Sequence, residues 1–439
     1  MHLVIVFQAW FLLSWVNWEA WKSCLYCNKL NGPLPVELSK LQNLTGFIIF
    51  SNSLSGNIPP ELGNLKVLSP LRLGDNTFYG ELPSELGNLG NLQYFEVSPN
   101  LLSGPIPSTL GRLSSRIYLD LSKNKFSGTL PKDLANCTSL KCIKVTNNSL
   151  SGGVPYEYTS LSHLHTLSLA RNNFNGSLLE SFANYSSIVV LDFSHNHFTG
   201  TLPESWTQMV NLRVLSVGHN NLEGILPSGI WDLGQLQVLE VSNNQFSGTI
   251  PTEIANLNSF KNNETQTNQE NTLWNDDVSF DTKDTWIYLK YLLGLVISLD
   301  LSGNRISGSI PNEIGSLTGL YNLNLSSNLL IRSIPSSLGN LLTLESLDVS
   351  NNQLNGTIPD ELTNLTSLAF LNLSNNKLSG AIPKGMFLLT AASLVLLWLI
   401  IIMFQLRTEL VPFRTSVFHL FKTVISWKCK SMRVSAYFK

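Results

Sequence analysis

Residues 344–368 read LESLDVSNNQLNGTIPDELTNLTSL, and the pattern of this stretch recurs along most of the chain. Written as LxxLxLxxNxLxGxIPxxLxxL, it places one asparagine in each copy, and consecutive copies follow at the fixed interval that separates Asn352 from Asn376. The asparagines form a run of ten and a run of four: Asn28, Asn52, Asn76, Asn100, Asn124, Asn148, Asn172, Asn196, Asn220 and Asn244, then Asn304, Asn328, Asn352 and Asn376. A fixed period of this length predicts a leucine-rich-repeat solenoid in which each copy is one coil.

The residue types of one coil explain its expected shape. Leu347 and Val349 alternate with Asp348 and Ser350, so we expect the first pair to face inward and the second pair to face solvent from a short parallel strand. Asn352 is expected to turn inward and to form hydrogen bonds with backbone groups of neighbouring coils. Stacked copies of this residue would form an asparagine ladder.

The second half of the coil turns the chain back. Gly356 suits a sharp bend and Pro359 fixes φ, after which the segment ELTNLTSL closes the coil as a short helical or extended piece. Two coils depart from this pattern: Leu179 replaces the proline of one, and Arg332 replaces the glycine of another. Since no coil has a core of its own, each buries its leucines against the next, and stability is a sum of neighbour terms.

Composition narrows the function classes. The chain has 439 residues, 43% apolar content, 13% charged residues and a formal net charge of −2, which gives no indication of nucleic-acid binding. Residues 1–22 are strongly apolar and are predicted to be a signal or anchor-like segment, although the first lysine is Lys22. The alternative is that they are the remainder of a longer N-terminal region.

The five cysteines do not indicate a metal site. Cys24 and Cys27 lie three residues apart in the first coil, which on a strand puts their Cα atoms about 10 Å apart, too far for a disulfide. Cys137 and Cys142 share one coil and Cys429 lies near the C-terminus. Without zinc-type spacing or histidine partners, buried or capping cysteine is the expected role.

The solvent-facing strand positions are where a ligand would contact the coils. The most varied chemistry falls in the first half of the array, where rigid aromatic side chains alternate with charges. These candidate ligand-binding residues are Arg72, Tyr94, Glu96, Tyr118, Asp120 and Lys144. The alternative is that the acidic residues simply belong to the repeat pattern on a solvated face.

An insertion separates the two runs of coils. Asn244 and Asn304 are further apart than one repeat allows, so we assign residues 23–257 to ten repeats, 258–293 to the insertion and 294–385 to four repeats. Its first half is polar and is predicted to be a loop, whereas its second half carries Trp286 and Tyr288, which we add to the candidate ligand-binding residues. A loop without a binding role is the alternative.

The repeat resembles the plant-type extracellular leucine-rich repeats. An insertion followed by GLVISLDLSGNRISGSIPNEIGSLTGLYNLNLSSN, with four coils to the end of the array, is similar to the island-containing, kinase-lacking leucine-rich-repeat receptor-like proteins of plants. The resemblance spans residues 28–383. It departs from that family in a reduced N-terminal cap and in the lack of a cysteine-bearing cap after Pro383.

The resemblance implies a right-handed, horseshoe-like α/β superhelix with a concave parallel sheet, and a receptor for an extracellular peptide or elicitor in defence or development. It also implies a leucine-rich-repeat receptor kinase as signalling partner, recruited partly by the four coils after the insertion. The corresponding candidate partner-binding residues are Ser298, Asn322, Asn324, Ser346 and Phe370.

Residues 386–406 contain no charge, and at a helical rise of about 1.5 Å per residue they are long enough for a transmembrane helix. The following residues 407–439 hold seven lysines and arginines against Glu409 alone, which predicts a cytoplasmic tail and extracellular repeats in a single-pass plasma-membrane protein. A soluble core helix is the alternative.

Ten sequons fit an exported glycoprotein, although asparagine-rich repeats also produce sequons by their pattern. They are Asn43, Asn136, Asn147, Asn175, Asn184, Asn263, Asn324, Asn355, Asn364 and Asn372.

No catalytic constellation, cofactor motif or metal-ligand cluster is recognisable, so we expect a binding protein and not an enzyme. Two alternatives to the receptor remain open. One is a secreted or wall-associated binder that inhibits a polysaccharide hydrolase, because polygalacturonase inhibitors share the repeat. The other is a truncated, non-functional fragment of a receptor kinase.

Overall fold

A computed structural model describes residues 22–113, 115, 118–261, 279–282, 285–288 and 297–385. Within them, each coil contributes one three-residue strand to a main sheet of 14 parallel strands in sequence order. These strands are Lys22–Cys24, Gly46–Ile48, Pro70–Arg72, Tyr94–Glu96, Tyr118–Asp120, Cys142–Lys144, Thr166–Ser168, Val190–Asp192, Val214–Ser216, Val238–Glu240, Ser298–Asp300, Asn322–Asn324, Ser346–Asp348 and Phe370–Asn372. The predicted parallel-strand solenoid is therefore present.

A second face of the solenoid is also built from parallel strands, in sheets of 10 and 4 strands. A single bridge between Thr249 and Ser307 connects them. We call this face the second sheet. Its strands are Asn31–Gly32, Ser53–Gly56, Thr77–Glu81, Leu101–Pro105, Lys125–Gly128, Ser149–Gly152, Asn173–Ser177, His197–Thr201, Asn221–Ile225 and Gln245–Ser247, then Ser307–Gly308, Leu329–Arg332, Gln353–Gly356 and Lys377–Leu378.

The third side of the coils is formed by 3-10 turns, one in each coil except that of Asn244, which has two, and that of Asn376, which has none among the described residues. The described residues contain no α-helix. The sequence predicted an α/β solenoid, and the described residues instead form a solenoid of strands and 3-10 turns. The five residues between the repeat proline and the next leucine are too few for an α-helix. These turns are Val36–Lys40, Pro60–Asn64, Ser84–Asn88, Ser108–Arg112, Lys132–Asn136, Tyr156–Ser160, Glu180–Asn184, Glu204–Gln208, Ser228–Asp232, Thr252–Asn256, Asn258–Phe260, Asn312–Ser316, Ser336–Asn340 and Asp360–Asn364.

The main sheet continues across the insertion without a change of register. Val238 pairs with Ser298 and Glu240 with Asp300, as in any two consecutive coils. Asn258–Phe260, which the sequence assigns to the insertion, forms a turn whose Phe260 is fully buried in the core. Within the insertion, strands Ser279–Thr282 and Thr285–Tyr288 form an antiparallel hairpin.

The asparagine ladder predicted from the sequence is present. Asn352 Nδ2 donates to Leu325 O of the preceding coil at 3.0 Å and to Val349 O of its own coil at 3.2 Å, while its Oδ1 accepts from Leu330 N at 3.0 Å. Asn304 makes the equivalent bond to Val241 O at 3.0 Å, across the insertion. Each amide thus satisfies backbone groups that a buried turn would leave without partners.

The polar strand positions are less exposed than expected. Leu347 and Val349 face the core as predicted, but Asp348 is only 8% exposed and Ser350 only 2% exposed. Ser350 Oγ donates to Asp348 Oδ1 at 2.7 Å, and Asn372 of the next coil donates to Asp348 Oδ2 at 3.2 Å. Because neighbouring strands lie about 4.8 Å apart, short polar side chains pack against their equivalents in adjacent coils instead of extending into solvent.

Four carboxylates at these strand positions are buried, namely Asp192, Glu240, Asp300 and Asp348, and two of them have a raised pKa. Glu240 accepts from Ser216 Oγ at 2.7 Å and from Gly218 N at 3.0 Å, and burial, followed by the nearby Asp300, raises its pKa to about 7. Asp192 accepts from Ser194 Oγ at 2.7 Å, and burial raises its pKa to about 6. Both groups therefore bind a proton more tightly in the folded protein than they do in the unfolded chain.

Several sequence predictions lie outside the described residues: the segment 1–21, the candidate span 386–406, the tail 407–439, Asn263 and Cys429. No helix within the described part of the chain has the length and apolar character needed to cross a membrane. Cys137 and Cys142 are buried as expected, and Cys27 is exposed.

Replacing one ladder asparagine should destabilise the fold. Asn220 Nδ2 donates to Phe193 O and Val217 O, and its Oδ1 accepts from Phe198 N, so Asn220→Ala leaves several buried backbone groups without partners. We expect a loss of about 2–3 kcal/mol in the free energy of unfolding, measured by urea denaturation. The neighbouring, exposed Asn221→Ala should change it by less than about 0.5 kcal/mol. Equal losses in both variants would contradict the role given to the ladder.

Stability should fall as pH rises from 4.5, the ordinary pKa of a glutamate, to about 7, the raised pKa of Glu240. Because the folded protein binds this proton more tightly than the unfolded chain, the protonated carboxyl adds to the free energy of unfolding. This addition is fully present below pH 4.5 and is lost as pH rises through about 7, the pKa in the folded protein. The loss is up to about 3 kcal/mol. Thermal unfolding between pH 4 and 8 measures it, and Glu240→Gln, whatever its absolute stability, should show a flatter profile. A profile with the wild-type slope would exclude Glu240 as the source.

Candidate functional site

Six side chains from the first six coils form one stacked column on the main sheet, in the order Tyr26, Phe50, Arg72, Tyr94, Tyr118 and Lys144. The rings of Tyr26 and Phe50 lie 5.0 Å apart with parallel planes, and those of Tyr94 and Tyr118 lie 4.3 Å apart at 6°. The Arg72 guanidinium lies between the two pairs, 4.8 Å from the Phe50 ring and 5.0 Å from the Tyr94 ring. Lys144 Nζ ends the column, 5.3 Å from the Tyr118 ring. We call these six residues the stacked column.

Stacking covers both faces of the three inner rings. Successive coils lie in chain order, so Phe50 is covered by Tyr26 and Arg72, and Tyr94 by Arg72 and Tyr118. A ligand on this surface therefore meets the edges of Phe50 and Tyr94, which are half-buried, and not their faces, together with Tyr26, which is 49% exposed. Tyr118 and Lys144 are each only 5% exposed and support the column from beneath. The edge of an aromatic ring carries partial positive charge, so it favours electron-rich groups such as carbonyl oxygens.

The charges of the column are paired internally. Arg72 forms an ion pair with Glu96, and Lys144 Nζ donates to the Tyr118 hydroxyl at 2.9 Å. Asp120 lies beside Lys144 in the sheet register, and its Oδ1 accepts from Ser122 N at 2.9 Å. Two cations and two carboxylates give the surface no net charge. Burial, and then Glu96, raises the pKa of Tyr94 above its ordinary value, so its hydroxyl stays protonated.

The structure brings together all six candidate ligand-binding residues of the coils, and it adds Tyr26 and Phe50, which the sequence analysis missed. Both precede the ladder asparagine of their coil by two residues, a position that later coils fill with small residues such as Ser350 and Ser374. That contrast is a signal which could have identified them. Trp286 and Tyr288 lie on the second strand of the hairpin in the insertion, where Trp286 pairs with Asp281.

The candidate partner-binding residues lie on the last four strands of the main sheet, in register. Ser298, Asn322, Ser346 and Phe370 follow one another across this part of the sheet. Ser298 is 1% exposed and its Oγ accepts from Asn322 Nδ2 at 2.9 Å, while Asn324 is 6% exposed and donates to Asp300 and Ser302. The accessible part of this set is therefore Asn322, Ser346 and Phe370, all half-buried.

The sequons differ in exposure. Those at exposed positions are Asn43, Asn136, Asn147, Asn175, Asn184, Asn355 and Asn364. Asn372 is half-buried, and Asn324 is held between two coils by its amide hydrogen bonds. Attachment of a glycan at Asn324 would disrupt these contacts, so the exposed sequons are the better candidates for modification.

Family models described as "Leucine rich repeat" match residues 186–246 and 318–378, and others match 117–137, 163–185 and 296–317. No curated protein matches the sequence. Among solved structures, the chain is similar to the plant peptide hormone receptor RGFR1 in complex with RGF2, at 30% identity and a TM-score of 0.67 over 82% of this chain and 55% of that one. It is also similar to the ectodomain of the Arabidopsis receptor kinase HAESA, at 33% identity and a TM-score of 0.69 over 82% and 55%.

A leucine-rich-repeat protein of Leptospira interrogans matches at 30% identity and a TM-score of 0.60, over 83% of this chain and 80% of that one. The chain spans about half the length of the plant receptor ectodomains, at 55% of both RGFR1 and HAESA. With the repeats, the parallel sheet and these similarities taken together, the chain belongs to the leucine-rich-repeat family and resembles the ectodomains of plant leucine-rich-repeat receptors.

Proposed function

We propose that this protein binds an extracellular peptide on the main sheet, at the stacked column, and that it acts as a binding protein and not as an enzyme. The observation that carries the proposal is the column itself, in which four rings and two cations from six coils hold one another in place. Side chains fixed before binding lose little conformational entropy when a ligand arrives, so their contacts contribute fully to affinity.

The chemistry of the column indicates the kind of peptide. The cations are already paired with Glu96 and with the Tyr118 hydroxyl, so a ligand gains little from net charge. Ring edges and polar groups that have fixed positions favour a segment with carbonyl oxygens or hydroxyl groups at matching intervals. We therefore expect binding to weaken only slightly as salt concentration rises.

The receptor role extends this proposal to the cell surface. Its support is the similarity to plant receptor ectodomains, two of which were solved with the peptides RGF2 and IDA. The uncharged run 386–406 and the basic residues after it support single-pass anchoring with the repeats outside. In this arrangement the chain would signal in defence or development through a partner receptor kinase, contacted by Asn322, Ser346 and Phe370 among other residues.

Tyr94→Ala should abolish capture of the ligand. Peptides extracted from plant extracellular fluid are passed over the immobilised protein, and those retained are identified by mass spectrometry. Tyr94 is the central ring of the column, and loss of such an anchor lowers affinity by about tenfold or more. The control is Tyr79→Ala, which removes a tyrosine that is 54% exposed on the second sheet.

The expected result is a set of peptides retained by the wild type and by Tyr79→Ala but lost from Tyr94→Ala. Retention of the same peptides by all three proteins would place binding elsewhere, and retention by none would exclude peptides of this fluid as ligands.

A further inference from the structure

The second sheet carries an apolar and basic patch in the four coils after the insertion. Leu329 is 46% exposed and Ile331 is 41% exposed, on the strand Leu329–Arg332. Their neighbours in the sheet register are Ser307 and Gln353, both polar. The other exposed side chains on the last four strands of this sheet are polar, so Leu329 and Ile331 form an isolated apolar pair there. Such a pair is a candidate contact surface.

The backbone of Arg332 supplies an independent observation. Arg332 has a φ of 67°, in the left-handed region that favours glycine. The equivalent residue of every other coil is a glycine: Gly32, Gly56, Gly80, Gly104, Gly128, Gly152, Gly176, Gly200, Gly224, Gly248, Gly308, Gly356 and Gly380, all with positive φ. The fold would accept glycine here, so the arginine carries a conformational cost that the architecture does not require.

The charges of the patch all have one sign. On this face of the last four coils, the strands and the residues adjoining them contain Arg305, Arg332 and Lys377 but no aspartate or glutamate. All three are exposed, and the ion pair of the described residues, Arg72 with Glu96, involves none of them. Arg305 donates to Gln245 Oε1 and Lys377 to Gln353 Oε1, so neutral amides hold these side chains in place.

We propose that Leu329, Ile331, Arg332, Arg305 and Lys377 form a docking surface, the terminal patch, for an acidic segment of another protein. An apolar residue of that segment would cover Leu329 and Ile331, and aspartates or glutamates beside it would pair with the surrounding cations. Charge complementarity selects this partner, because a basic rim attracts acidic chains and repels basic ones. The proposal is independent of the stacked column, which lies on the main sheet in the first six coils.

The test uses a random peptide library displayed on phage and selected on the immobilised full-length chain. Each protein is tested with Asn355 intact and as Asn355→Gln, because Asn355 is a sequon on the neighbouring strand and a glycan there would lie beside the patch. Binding to the Asn355→Gln forms alone would show that the native patch is covered and would overturn the proposal. The test variants are Leu329→Ser and Arg332→Gly, and the matched control is Leu101→Ser. Leu101 follows a ladder asparagine just as Leu329 does, and it is 44% exposed on the same sheet.

We expect the selected peptides to carry an apolar residue flanked by aspartate or glutamate, and to bind more weakly as salt concentration rises. Their affinity should fall about tenfold or more on Leu329→Ser and on Arg332→Gly and stay unchanged on Leu101→Ser. Arg332→Gly should unfold at the same or a higher temperature than the wild type, so that its loss of binding is not a loss of fold.

Two further outcomes overturn the proposal. One is that no selected peptide binds Leu329→Ser and Arg332→Gly more weakly than the wild type, or that the peptides which do so are neutral or basic. The other is binding of the wild type, but not of Leu329→Ser, to phosphatidylserine vesicles without selection of acidic peptides, which would assign the patch to a lipid surface. Neither outcome affects the peptide captured through Tyr94, so the two proposals fail separately.

Discussion

The spacing between successive coils is the constraint on which this structure depends. A strand of each coil hydrogen-bonds to the next at about 4.8 Å, and the ladder asparagine adds side-chain bonds to the same step, such as Asn352 Nδ2 to Leu325 O. Because no coil has a core of its own, leucines such as Leu347 are buried only when this step is kept. The same step holds equivalent side chains of adjacent coils one strand spacing apart, and this distance decides which of them stack or hydrogen-bond on the surface.

The stacked column is a consequence of that spacing. Aromatic rings at equivalent positions of adjacent coils are held about 4.8 Å apart, within the range of 4.3 to 5.0 Å observed for Tyr94 with Tyr118 and Tyr26 with Phe50. The same rule explains the polar column in which Ser216 and Glu240 form a hydrogen bond. The regular spacing therefore fixes the conformations of these side chains, because each one packs against its neighbour in the next coil. Polar groups that are paired in this way are not available to hydrogen-bond with a ligand.

The sequence predicted those features that depend on the repeat. The number of coils, the parallel sheet, the ladder and the position of Arg72, Tyr94 and Tyr118 on one sheet all follow from counting positions at the fixed period of the repeat. It did not predict the burial of Asp348 or Asn324, because alternation along one strand does not describe packing between strands. It also overlooked Phe50, since the repeat pattern treats that position as variable, and it could not indicate which ring faces would be covered.

The register across the insertion has a consequence for the integrity of the array. Strand Ser298–Asp300 pairs with Val238–Glu240, Asn304 donates to Val241 O, and Gly319 N donates to Phe260 O, all across the insertion. The contacts between the first ten coils and the last four are thus the same as between any two coils, and none of them is made through the insertion's own hairpin. A protease cut there would leave a nicked protein whose two fragments stay assembled, and fragments produced separately would have the complementary surfaces needed to reconstitute the whole.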